Sequence, residues 1–191
     1  MSPWPHRSAF AVVGALGVVR GGIGYAHPAY WEPTTRLDWA AIMTFSALLA
    51  TLAFAMLLVA NEQRGVGRWA LLVGAAGAAL ASVANALEDG LGLSRFGYPF
   101  AAGTALLVIG LLTGGILLSV SRTGSRWLGL LFLGDVAALA LAFDNTGLVA
   151  LGSTWLLLSL PVERKMCCRP GRQNGRESSR RIHIVTPDAS R

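Results

Sequence analysis

Charge is what this sequence has least of. Only 14% of its 191 residues are Asp, Glu, Lys or Arg, against 53% hydrophobic residues and a mean hydropathy of +0.54. That balance excludes an ordinary soluble domain and makes lipid the expected solvent. Cysteine is nearly absent too. The two present, Cys167 and Cys168, are adjacent and flanked by Arg164, Lys165 and Arg169. Neighbouring cysteines make a strained pair, so they are read as reduced and cytoplasmic, and no disulfide framework or C-x-x-C motif exists. S-acylation of such a juxtamembrane pair is the less favoured reading. The eight prolines all fall outside the long apolar runs, which excludes a proline-broken helix of the kind found at many transporter sites. The three histidines stand far apart, at positions 6, 27 and 183. There is no H-E-x-x-H, G-x-S-x-G or Walker A, and Gly90-Leu-Gly92 follows an apolar run rather than a strand. No catalytic residue, cofactor site or metal site is expected.

What is present is long apolar helix. A hydrocarbon core about 30 Å thick takes roughly 20 residues at 1.5 Å each. The runs 40–60, 69–87 and 100–120 meet or nearly meet that length. Residues 127–160 are too long for one span and break at Asp144-Asn145-Thr146-Gly147, a turn-forming run, giving spans near 127–143 and 146–160. The stretch 8–26 is apolar apart from Arg20. It reads as a retained first span, with a signal peptide ending at Gly24-Tyr25-Ala26 as the competing reading; His27 would then be N-terminal and a copper ligand in principle. The expectation is an all-α transmembrane bundle of about six spans over 1–161, followed by a basic, disordered tail over 162–191.

Basic residues orient it. Eight of the sixteen Lys and Arg residues lie after Leu160; Arg7 precedes the first span, and Arg64, Arg68, Arg122 and Arg126 lie in alternate connections, leaving, besides Arg20 within the first span, Arg36 and Arg95 for the opposite side. The positive-inside rule then places both termini in the cytoplasm, in a plasma (inner) membrane. Tyr25, Tyr30, Trp31, Trp39 and Tyr98 gather at the outer edge, and Trp69 and Trp127 at the inner. The tail is expected to adhere to anionic inner-leaflet lipids, at about 1 kcal/mol per basic residue. No nucleic-acid partner is expected; a homo-oligomer or membrane partner is left open. Arg64-x-x-x-Arg68-Trp69 recurs as Arg122-x-x-x-Arg126-Trp127, which suggests a duplicated helical hairpin (spans two and three, then four and five) or convergence of interfacial loops. A first span ending in His27-Pro28, Trp39 opening the second, and short Arg-bearing loops resemble the small uncharacterised multi-pass membrane proteins of bacteria. The resemblance is one of pattern over 8–161; it implies six helices and assigns no activity.

Polar residues at depth are the candidate site. Small residues mark packing faces: Gly14, Gly17, Gly21 and Gly24 in the first span, Gly74 and Gly77 in the third, Gly103, Gly110 and Gly114 in the fourth. Asn85 and Glu88 share the small-residue face of the third span, and Asp135 that of the fifth. Arg20 and Asp135 are the two charges expected within the bilayer, each costing about 2.5–3.5 kcal/mol unless paired. Counted from Ala26 and Phe143 they lie at similar depth, which predicts an ion pair or a shared water-filled pocket. His27, Asn85, Glu88, Asp89, Asp144 and Asn145 would surround the same mouth. The expected role is a non-enzymatic accessory or assembly protein, with a small-solute permease or proton/cation pathway as the alternative.

Overall fold

The computed structural model describes residues 4–27, 33–120, 126–140 and 145–160, with side chains starting at Arg7 in the first segment and Thr146 in the last. Asp144, Tyr30, Trp31, the cysteine pair and the tail lie outside the described residues. The chain divides into two units, Met1–Pro161 and Val162–Arg191. Most described residues of the first unit are helical, and no strand occurs among the described residues. Its helices are α1 (Trp4–Ala26), α2 (Arg36–Glu62), α3 (Val66–Glu88), α4 (Gly97–Val120), α5 (Arg126–Ala140) and α6 (Asn145–Ser159), with a 3₁₀ turn at Ser94–Phe96. Four stretches are long and apolar enough to cross a membrane: Arg7–Ala26, Arg36–Glu62, Val66–Glu88 and Ser94–Val120. The chain is thus a membrane-type helical bundle. α6 is apolar but shorter.

Helix ends follow local chemistry. Thr35 caps α2 in a reciprocal capping box with Asp38, which satisfies the N–H groups of Thr35 and Asp38. Pro5 and Pro99 sit inside the first turns of α1 and α4, where a missing N–H costs nothing, so these helices begin earlier than the apolar runs imply. The α2–α3 connection turns at Gly65, whose φ of 64° is left-handed and open to glycine without strain.

Each helix packs on its neighbours in sequence, and α1 closes onto α6, so the six form a ring. Large side chains fill it: Trp155, Phe132, Leu52, Met56, Leu71, Leu107 and Leu111 are fully buried. Glycine sets how closely the walls approach. A Cβ on Gly77 would lie 2.5 Å from Leu107 N and 2.6 Å from Gly103 O, and one on Gly110 would strike the backbone of Gly74, so α3 and α4 meet backbone to backbone. On the α1–α6 side, a Cβ on Gly14 would lie 2.7 Å from Gly152 O, and one on Gly17 2.9 Å from Gly152 Cα. Gly21 and Gly24 are buried on the same helix. Gly114 packs under Leu71, where a Cβ would come within 2.7 Å of its Cδ2.

Candidate functional site

Hydroxyl groups in the apolar helices are mostly consumed locally. Thr51, Thr104, Ser119 and Thr154 each donate to the carbonyl one turn back, at 2.8–2.9 Å. Such bonds satisfy a polar group in lipid without presenting it to a ligand.

Between α2 and α3 the polar side chains cross the interface. Asn85 Nδ2 donates to Ser46 Oγ at 2.9 Å, and Ser82 Oγ donates to the Ser46 carbonyl at 2.7 Å. All three residues are buried. Asn85 therefore ties two helices together. Glu88, three residues on, is half-buried beside Gly97, where α4 begins. Asp89 follows the end of α3, and burial pushes its carboxyl above the usual range.

Asp135 is 2% exposed, and its two carboxyl oxygens share the indole N–H of Trp155, each at 3.1 Å. Trp155 is wholly buried, edge-on to Phe10 with ring centroids 4.9 Å apart and tilted against Phe132 at 6.2 Å. A buried indole has one donor and needs one acceptor, and Asp135 supplies it.

The expected pairing of Arg20 with Asp135 is not formed. Arg20 is half-buried, with its guanidinium 6.0 Å from the centre of the Phe45 ring, and among the described residues its Nε and Nη1 have no hydrogen-bond acceptor. Two features separate the charges. α6 stands between α1 and α5 in the ring. Trp155, which holds Asp135, packs on Phe10, ten residues of α1 away from Arg20, or about 15 Å of helix. Arg20 is also absent from the lining of the cleft at Asp135. Asp135 lines a cleft of about 290 Å³ between α5 and α6, whose other walls are apolar except for Thr154 and the indole edge of Trp127.

At the end of the bundle bearing His27, a second polar group appears that sequence reading left out. Asp38 is 1% exposed; its Oδ2 accepts from Thr35 N at 2.8 Å, Thr35 Oγ1 at 2.9 Å and Thr34 N at 3.0 Å. His27 Nε2 lies 3.0 Å from Asp38 Oδ1, at ion-pair distance but outside hydrogen-bond direction. Tyr25 and Thr146 hydroxyls bond at 2.5 Å, joining α1 to α6 near the same end. Thr35 Oγ1 also approaches His27 Nε2, at 3.4 Å. Hydroxyl and carboxylate thus address the same ring nitrogen, whereas a nucleophilic triad needs them on opposite ones. The Thr35-x-x-Asp38 spacing was a readable signal for the capping box. Among the described residues, no three His, Cys, Asp or Glu side chains come close enough to hold a metal ion. No family model matches the chain, and neither a curated protein nor a solved structure matches it.

Proposed function

We propose that this chain is a non-enzymatic integral membrane protein of six spans, with both termini on the cytoplasmic face of the plasma (inner) membrane, acting as an accessory or assembly component. In this reading α5 and α6 complete the bundle as two short spans, and α2–α3 and α4–α5 are copies of one hairpin carrying the R-x-x-x-R-W loop. The resemblance to small bacterial multi-pass proteins is kept as part of the same reading. The observation that carries it is the direction of Asp135: the carboxyl of α5 is turned onto Trp155 of the same bundle and hidden from solvent. Asn85, Ser46 and Ser82 are used in the same way. Polar groups that knit helices together stabilise a scaffold; a conduction path needs them free and aligned.

A small permease or proton pathway is the second reading, favoured by the cleft that reaches Asp135 from between α5 and α6. Full-length protein in liposomes with an internal pH dye separates the two. The scaffold reading expects no proton flux above empty liposomes under an imposed gradient. Flux that disappears in Asp135→Asn, with the variant still folded, would replace it. Topology is tested separately by reporter fusions at Asn145 and Gly171, which should report opposite compartments.

A further inference from the structure

The paired arginines of the α2–α3 connection are not used by the scaffold, and the space around them has a definite chemistry. Gln63, Arg64, Gly65, Arg68, Trp69 and Leu72 line a recess of about 330 Å³. Arg64 and Arg68 are both exposed and, among the described residues, neither enters an ion pair. Glu62, the nearest acid in sequence, is not in that lining; it lines an adjoining recess toward Leu117 and Leu118, where Arg64 and Gln63 also form part of the wall. The left-handed turn at Gly65 sets Arg64 just before the helix, and Arg68 falls in the first turn of α3.

We infer that this recess binds the phosphate of an anionic phospholipid headgroup. Guanidinium groups match phosphate oxygens through forked, charge-assisted hydrogen bonds. Two of them on one recess supply a site where a single surface arginine supplies only an orientation signal. The order of the lining favours a membrane lipid over soluble phosphate. From the loop into the helix the wall passes from Arg64 and Arg68, through the 68%-exposed indole of Trp69, to Leu72. That is the order of a lipid lying along α3: phosphate, glycerol at the aromatic level, then acyl chain. The loop motif R-x-x-x-R-W thereby gains a chemical reason: two cations and one interfacial aromatic surrounding one headgroup.

The test uses full-length protein in a neutral detergent, with native mass spectrometry and thermal melts on addition of phosphatidylglycerol, phosphatidylcholine or inorganic phosphate. Wild type should retain phosphatidylglycerol in preference to phosphatidylcholine, and millimolar phosphate should not displace it. Arg64→Gln with Arg68→Gln should weaken that retention at least about tenfold, since each 1.4 kcal/mol of lost phosphate contact is a factor of ten. Arg7→Gln with Arg95→Gln removes the same charge outside either copy of the motif and should leave retention unchanged. Equal weakening in both doubles would overturn the recess in favour of diffuse attraction. Displacement by inorganic phosphate would overturn the lipid assignment, and equal retention of the two lipids would overturn charge recognition altogether. Should the Gln pair fail to fold, Arg64→Lys with Arg68→Lys keeps the charge and removes the fork; a loss of about threefold or more supports the site, and unchanged retention contradicts it.

Discussion

Between α3 and α4, glycine faces glycine and the two backbones touch; between α5 and α6 a cleft of about 290 Å³ remains, and one indole, Trp155, bridges the pair to Asp135 and Phe132. The difference lies in what flanks the small residues. α3 offers Gly74, Gly77, Ala78 and Ala81 to Gly103, Gly110 and Gly114 of α4, all of them buried. α5 and α6 also carry small residues, Gly134, Ala138 and Ala150, but Leu130, Leu131, Leu151 and Leu158 stand beside them in the cleft wall and hold the helices apart. Lipid is as apolar as leucine, so the gap gains no hydrophobic drive to close. Where backbones meet, dispersion binds the pair; where they cannot, a buried hydrogen bond fixes the register.

The same substitution should therefore do opposite things in the two places. Gly110→Ala puts a methyl 2.8 Å from the Ala70 carbonyl and closer still to the Gly74 backbone, so α3 and α4 must part. The expected loss is about 3 kcal/mol, at the upper end of overpacking, read as folded fraction in detergent thermal melts. A melt like wild type would mean that the contact is not tight. Next in size is Trp155→Phe, which keeps the ring against Phe10 and Phe132 but removes the donor of Asp135. About 1–3 kcal/mol should be lost for an acceptor left unsatisfied, while Asp135→Asn, which retains an oxygen acceptor, should cost less. Asn85→Leu removes the tie to Ser46 in the better-packed part of the ring, and about 0.6–1.7 kcal/mol is expected, the range of interhelical hydrogen bonds in membranes. Smallest, and of reversed sign, is Gly134→Ala: nothing lies within 4 Å of the added methyl, so helix propensity should stabilise by up to about 1 kcal/mol. A loss at Gly134 equal to that at Gly110 would erase the comparison.

Helices were legible because a 20-residue apolar run has few alternatives in lipid. Glycine spacing was legible for a similar reason, since i, i+3 and i+4 positions share a face whatever the neighbour is. The partner of each face was not, because depth depends on where helices end and on which helices adjoin. Asp135 illustrates the second. Measured from Phe143 it seemed level with Arg20, and sign alone recommended the pair. Yet Asp135 and Trp155 lie ten residues either side of Asn145, within the turn-forming run that divides the last two helices, and such residues of an antiparallel hairpin stand at equal depth. Trp155 also interrupts an apolar run far from either interface, so its N–H needed an acceptor. That symmetry was available in the sequence; the ring order placing α6 between α1 and α5 was not. Asp38 was passed over because it precedes the apolar run, although its spacing from Thr35 is a capping signature.

The central claim, that the buried carboxyl of Asp135 holds α5 to α6, is tested most directly by a double-mutant cycle on Asp135→Leu and Trp155→Phe, with Asp135→Leu and Arg20→Gln as the parallel cycle. Stability of the full-length chain in detergent is the readout. Coupling of about 1 kcal/mol between Asp135 and Trp155, with losses additive to within about 0.3–0.5 kcal/mol for Asp135 and Arg20, is the predicted result. Additivity in the first cycle and coupling in the second would contradict it.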